Sequence, residues 1–154
     1  MTNILFVCHG NICRSPMAEF YMKDLVERSG CADAFSIASA ATSAEEIGNP
    51  VYPPARRELA RHGISCIGKT ARRLKPADYH CCDYLVGMDS ANLQDMRRLF
   101  GGDPEEKCLR LLDLTDDPRD VADPWYTGDF GQTYRDVEKG CRALLARLKA
   151  SGEI

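Results

Sequence analysis

Short runs of β-forming residues alternate along this chain with stretches whose apolar residues recur at helical spacing. That alternation constrains the fold more than any other feature. Asn3–Val7 is the first run, bounded at once by Cys8-His9-Gly10-Asn11, and it reads as a buried strand. Phe35–Ser39, Tyr84–Met88 and Cys108–Leu112 read as three more strands. Between the first two, Ser15-Pro16 reads as an N-cap followed by proline at the first helical position. Met17, Phe20, Tyr21 and Leu25 carry that helix's apolar stripe, and Ser29-Gly30 ends it. Pro54–His62 reads as a helix closed by Gly63, and Ser90 as the cap of a helix holding Leu93, Met96, Leu99 and Phe100. Gly48–Pro54 reads as a surface loop and Asp113–Phe130 as a long polar one. Tyr134, Val137, Cys141, Leu144, Leu145 and Leu148 form the stripe of a last helix. Strands alternating with helices imply an α/β class with a mostly parallel sheet. In such sheets ligands bind beyond the carboxyl ends of the strands.

The 154 residues suffice for one domain, 1–154, with no internal repeat or linker. Acidic residues number 23 against 20 basic, a net charge of −3, which gives no electrostatic case for nucleic acid or an acidic membrane as partner. No apolar run approaches the roughly 18 residues of a membrane span. The Met1–Val7 stretch lacks the basic and long apolar regions of a secretory leader, so a cytoplasmic protein is expected. Eight cysteines are present, but no CxxC and no Cys/His cluster with zinc spacing. Reduced, mostly buried thiols are therefore expected, with no metal and no cofactor.

The chemistry is concentrated in Cys8-His-Gly-Asn-Ile-Cys-Arg14-Ser15, between the first strand and the first helix. A loop curling into a helix start points several backbone N–H groups at one spot and binds an anion. Gly10 and Asn11 are types that tolerate the left-handed backbone such a loop needs. The same field favours the thiolate of a cysteine at the loop's start. Arg14 offers a planar fork matching two phosphate oxygens, and Ser15 a hydroxyl to support the thiolate. The loop is not a Walker A sequence. A phosphate ester also needs its leaving oxygen protonated. Asp113, Asp116, Asp117, Asp120, Asp123 and Asp129 all lie in the long polar loop, and composition alone does not choose among them.

Val7-Cys-His-Gly-Asn-Ile-Cys-Arg-Ser-Pro16 resembles the signature of the low-molecular-weight protein tyrosine phosphatases. Ser39-Ala-Ala-Thr-Ser43, Gly48-Asn-Pro50, Arg61-His-Gly-Ile64, Ala71-Arg72, Met88-Asp89, Asn92-Leu93 and Asp123-Pro124 extend the resemblance through most of the chain. It implies a four-stranded parallel sheet flanked by helices on both faces, with a phosphate-binding loop after the first strand. It implies metal-independent hydrolysis of phosphotyrosine in proteins through a cysteinyl-phosphate, releasing inorganic phosphate. Cys8 is then the nucleophile, Arg14 the phosphate fork and Asp123 the proton shuttle. His9, Gly10, Asn11, Ile12, Cys13 and Ser15 would surround the phosphate, with no catalytic role for His9. Asn11 and Ser39 would hold the loop in shape. Cys13 would pair with Cys8 under peroxide. Trp125 and Tyr126 would wall a slot for a flat ring. Glu45 stands where the family usually places an aromatic or apolar residue facing that ring, and Lys69 where it often has histidine.

Two rival functions stand beside this one. A thiol-linked arsenate reductase on the same fold needs two further cysteines near the site, and Cys81-Cys82 is the nearest candidate. A non-catalytic phosphotyrosine-binding module has no use for an intact Cys8, Arg14 and Asp123.

Overall fold

A computed structural model describes all residues 1–154. Its elements in chain order are β1 (Thr2–Cys8), α1 (Arg14–Arg28), β2 (Phe35–Ala41), α2 (Pro53–Arg61), α3 (Asp78–Cys81), β3 (Tyr84–Gly87), α4 (Ser90–Phe100), β4 (Cys108–Arg110), α5 (Pro124–Thr127) and α6 (Phe130–Ala150). The four strands form one parallel sheet in the order β2-β1-β3-β4. β1 is central and nearly continuous in apolar character, as a strand covered on both faces must be. Its side chains alternate between two cores. Ile4, Phe6 and Cys8 face α1, α2 and α6; Leu5 and Val7 face Tyr79 of α3 and Met96 of α4. No helix is long and apolar enough to cross a membrane.

The elements differ from the sequence reading mainly at their ends. β2 runs on to Ala41, whereas the fourth strand stops at Arg110 and tightens into a 3₁₀ turn over Leu111–Leu114. The short helices α3 and α5 lie where no helix is expected from periodicity, because four residues are too few to show one. Two expected caps are corrected. α1 begins at Arg14, so Ser15 lies inside it, and its hydroxyl turns to Cys8 and Asn11. α4 is capped by Asp89 rather than Ser90: Asp89 Oδ1 accepts from Asn92 N at 2.7 Å, and Asn92 Oδ1 accepts from Asp89 N at 3.1 Å. All eight cysteines are free, Cys8, Cys13, Cys66, Cys82 and Cys141 being buried.

One close approach fixes how α6 lies on the 3₁₀ turn after β4. A Cβ at Gly140 would overlap the Leu111 side chain, which is fully buried. On helix propensity alone, Gly140→Ala gains about 1 kcal/mol. Overpacking a filled core costs about 1–3 kcal/mol, and an overlap with three atoms of one side chain belongs at the upper end. Gly140→Ala is therefore expected to lower the urea midpoint; a raised midpoint would show that Leu111 yields freely.

Candidate active site

β1 delivers Cys8 to the carboxyl edge of the sheet, and the chain then curls through Cys8–Ser15 into α1. The curl needs a left-handed residue, and Asn11 supplies it with φ 59°. Asn11 is fully buried and its amide is fully used. Nδ2 donates to Ser15 Oγ (2.8 Å) and Ser39 Oγ (2.9 Å), and Oδ1 accepts from Arg72 N (3.1 Å). Its backbone N–H points at Cys8 Sγ, 3.4 Å away. Ser15 Oγ lies 3.0 Å from the same sulfur. Since Ser15 Oγ already accepts from Asn11, its own hydrogen is left to point at Cys8. Asn11 and Ser15 thus sit behind the loop and shape it, rather than lining the open cleft.

A second tier holds this one. Ser39 Oγ donates to the buried Glu19 at 2.5 Å. Lys69 Nζ donates to Ser39 O at 2.9 Å and lies 3.4 Å from Glu19, while Lys23 donates to Glu19 at 2.6 Å. Burial pushes the Lys69 ammonium below its usual range, and Glu19 opposes that. Lysine at 69 therefore does reach the loop's supporting hydrogen bonds. It does so with a longer arm and a charge that Glu19 balances.

Arg14 is 3% exposed. Its Nη1 donates to Asp89 Oδ2 (2.7 Å) and Val121 O (2.9 Å), and its Nη2 lies 3.4 Å from Asp123 Oδ2. Burial would lower its pKa, but Cys8, Asp89 and Asp123 together hold it above the usual arginine value. Val121 N also donates to Met88 O just past β3, so both backbone groups of Val121 are pinned two residues before Asp123. Asp123 Oδ1 caps α5 through Trp125 N (3.0 Å), which leaves Oδ2 facing Arg14 and the cleft.

The other aspartates of that loop are taken. Asp113 pairs with Arg110, Asp116 with Lys139, Asp117 with Arg119, and Asp120 with Arg110 and Ser90; Asp129 caps α6. Arg119 also clamps the loop to the buried Asp136 of α6, at 2.9 and 3.1 Å.

These groups open onto a cleft of about 210 Å³ lined by Cys8, His9, Gly10, Ile12, Cys13, Arg14, Glu45, Glu46, Asp123, Trp125 and Tyr126. Trp125 is propped by Tyr52, with ring centroids 4.9 Å apart, and Tyr126 is 85% exposed. His9 Nε2 lies 3.1 Å from Glu45, which draws the glutamate across the rim. Burial, Cys8 and Asp123 push the Cys13 thiol up to about 12, against the pull of Arg14, so it stays protonated at neutral pH. No group of three or more His, Cys, Asp or Glu side chains is placed to hold a metal ion.

Residues 3–153 match the family profile described as low molecular weight phosphotyrosine protein phosphatase. The chain belongs to this family. It is 37% identical to the low molecular weight protein-tyrosine-phosphatase YfkJ of Bacillus subtilis over the full length of both chains. It is 36% identical to the human low molecular weight phosphotyrosine protein phosphatase, over 94% of each chain. The crystal structure of YfkJ superposes with a TM-score of 0.95, covering 98% of this chain and 96% of that one. The arginine phosphatase YwlE is also similar, at 29% identity and a TM-score of 0.85 over 96% of each chain; that structure is of a cysteine-to-serine mutant whose active-site serine is phosphorylated.

Within the family's site, sequence reasoning missed Asp89, Glu19, Glu46 and Tyr52. Asp89 had a local signal, an Asp-x-x-Asn cap directly after the third strand. Glu19 sits on the buried face of α1, where a charge signals a paired partner. Glu46 reaches the cleft, and Tyr52 the back of Trp125, only through tertiary folding, and neither left such a signal.

Proposed function

We propose that this chain is a phosphatase for phosphotyrosine in proteins, working through a cysteinyl-phosphate. The convergence of Cys8, Arg14 and Asp123 on one cleft carries the reading. The Cys8 thiolate attacks phosphorus as the P–O bond to the tyrosyl ring breaks, and the Asp123 carboxylic acid gives its proton to the departing oxygen. Asp123, now a carboxylate, takes a proton from water as that water attacks phosphorus. The P–S bond breaks, and Ser15 and the Asn11 amide receive the charge returning to sulfur. Arg14 Nη1 is anchored by Asp89 and Val121, so the Nε–Nη2 edge of the fork remains for two phosphate oxygens. Positioning and charge stabilisation supply most of the catalysis. Cys13, held protonated, is not a competing nucleophile.

The family relationship supports phosphatase activity, and the phosphorylated active-site serine of the YwlE mutant supports a covalent intermediate in a relative of the same fold. Two features weigh against the rivals. Asp83 N donates to Asn3 O, which puts Cys81-Cys82 at the start of β1, whereas Cys8 lies at its far end; a thiol relay between them has no path. A mere binding module leaves the cleft-facing Asp123 oxygen and the Ser15–Cys8 contact without use.

The test is a metal-free assay with chelator, offering an aryl phosphate, a phosphotyrosine peptide, a phosphoserine peptide and phosphoarginine. Hydrolysis of the first two, with the phosphoserine peptide and phosphoarginine poor, is expected. Preference for phosphoarginine, or activity abolished by chelator, would overturn the reading.

A further inference from the structure

Beside the cleft lies a second hollow, of about 410 Å³, and His9 lines both. Its other walls are Thr42 and Ser43, Arg73, Asp95 and Arg98 of α4, and two leucines. Backbone hydrogen bonds tie it to the phosphate loop. Thr42 N donates to Cys8 O at 2.9 Å and Ser43 N to His9 O at 3.0 Å. The segment carrying Arg73 is laced to Ala41 on both sides, through Ala41 N to Arg72 O and Leu74 N to Ala41 O, each 2.8 Å. The hollow is thus fixed relative to Cys8 and not carried on a loose loop.

Its charge is opposite to that of the cleft's rim. Glu45 and Glu46 line the cleft on their side of His9. Arg73 and Arg98 line the hollow against one carboxylate, Asp95, which lies 3.3 Å from Arg98. Arg73 is exposed and makes no ion pair, and Arg98, 78% exposed, spends only Nη1 on Asp95, so one whole guanidinium fork and the remainder of the other face the ligand. Thr42 Oγ1 is buried there with no hydrogen-bond partner.

We infer that this hollow is a substrate subsite that takes an anionic side chain, a carboxylate or a second phosphate, close in sequence to the phosphotyrosine bound in the cleft. The inference rests on the proposed phosphotyrosine activity and deepens it by naming the substrate class. A peptide anchored at Cys8 that runs over the shared His9 rim presents its neighbouring side chains to the two arginines, which select among them. Exposed ion pairs of this kind are worth about 0.2–1 kcal/mol, so the selection is roughly one- to five-fold for each contact.

The test measures kcat/KM on phosphotyrosine peptides that differ at one flanking position, carrying Glu, phosphoserine, Ala or Lys there. An aryl phosphate too short to reach the hollow is the control. At one or two positions the anionic peptides are expected to exceed the alanine peptide about two- to five-fold, or more for phosphoserine, and the lysine peptide to fall below it. The advantage should shrink as salt is raised. The double variant Arg73→Ser/Arg98→Ser, both exposed positions, should lose the preference while hydrolysing aryl phosphate as the wild type does. Equal use of all four peptides by the wild type, or a preference that survives in the double variant, overturns the subsite and leaves the phosphatase reading standing. Failure to hydrolyse any phosphotyrosine peptide or aryl phosphate overturns that reading instead.

Discussion

Cys8→Ser is expected to lose steady-state hydrolysis by about 10⁴-fold or more, the scale on which removing a covalent nucleophile acts. The variant keeps the geometry. Cys8 is buried, and a hydroxyl in its place meets the same two partners, Ser15 Oγ and the Asn11 amide. What it lacks is an accessible anionic form, so attack on phosphorus is slow, and an alkoxide is a poor leaving group in the second step. The anion site survives, because it is made by the loop amides and Arg14. Phosphate should therefore still raise the thermal midpoint of the variant, as a ligand binding only the folded state must. Slow accumulation of one phosphate per chain on the introduced hydroxyl, detected by mass spectrometry, fits the same scheme. Turnover within tenfold of wild type would remove Cys8 from the chemistry.

The order of strands and helices was legible because each element carries its own period. β1 reads as an unbroken apolar run and α6 as a long stripe, and both are where the pattern puts them. Local signals failed where a tertiary partner competed. Ser15 has the makings of an N-cap, but Cys8 and Asn11 arrive from the other side of the loop and claim its hydroxyl. Ser90 turns its hydroxyl to Asp120 and leaves the cap to Asp89, whose carboxylate serves α4 with one oxygen and Arg14 with the other. The curl of Cys8–Ser15 was legible from its own Gly-Asn pair, but the partners that hold it, Ser39, Arg72 and Asp89, come from distant segments. Asp123 was legible only by resemblance to a family. Five other aspartates share its loop; four are paired with Arg110, Lys139 or Arg119, and Asp129 caps α6. The Asp116–Lys139 pair and the Arg119–Asp136 clamp reach across to α6 and have no signature in spacing. The hollow at Arg73 and Arg98 was invisible for the same reason, because its two cations come from separate segments.

Asp123→Asn should separate the two halves of the reaction by leaving group. The substitution is not expected to disturb the loop, since an amide oxygen still caps α5 through Trp125 N, and Val121 remains pinned by Met88 and Arg14. What is lost is the proton that Oδ2 would deliver. Tyrosine leaves as a poor phenolate, so its departure depends on that proton, and general acid catalysis is worth about 10²–10⁴-fold. A phosphotyrosine peptide should lose activity on that scale. An aryl phosphate bearing a nitro group leaves as a stabilised phenolate that needs little protonation, and it should lose about tenfold or less in the first step. The variant also lacks the base for the second step. Cysteinyl-phosphate should then build up on the activated ester, giving a burst of one phenolate per chain followed by slow release of phosphate. Rapid-quench kinetics on the two substrates measure this directly. Equal losses on both, with no burst on either, would show that the proton comes from elsewhere and that Asp123 only orients Arg14 from 3.4 Å away.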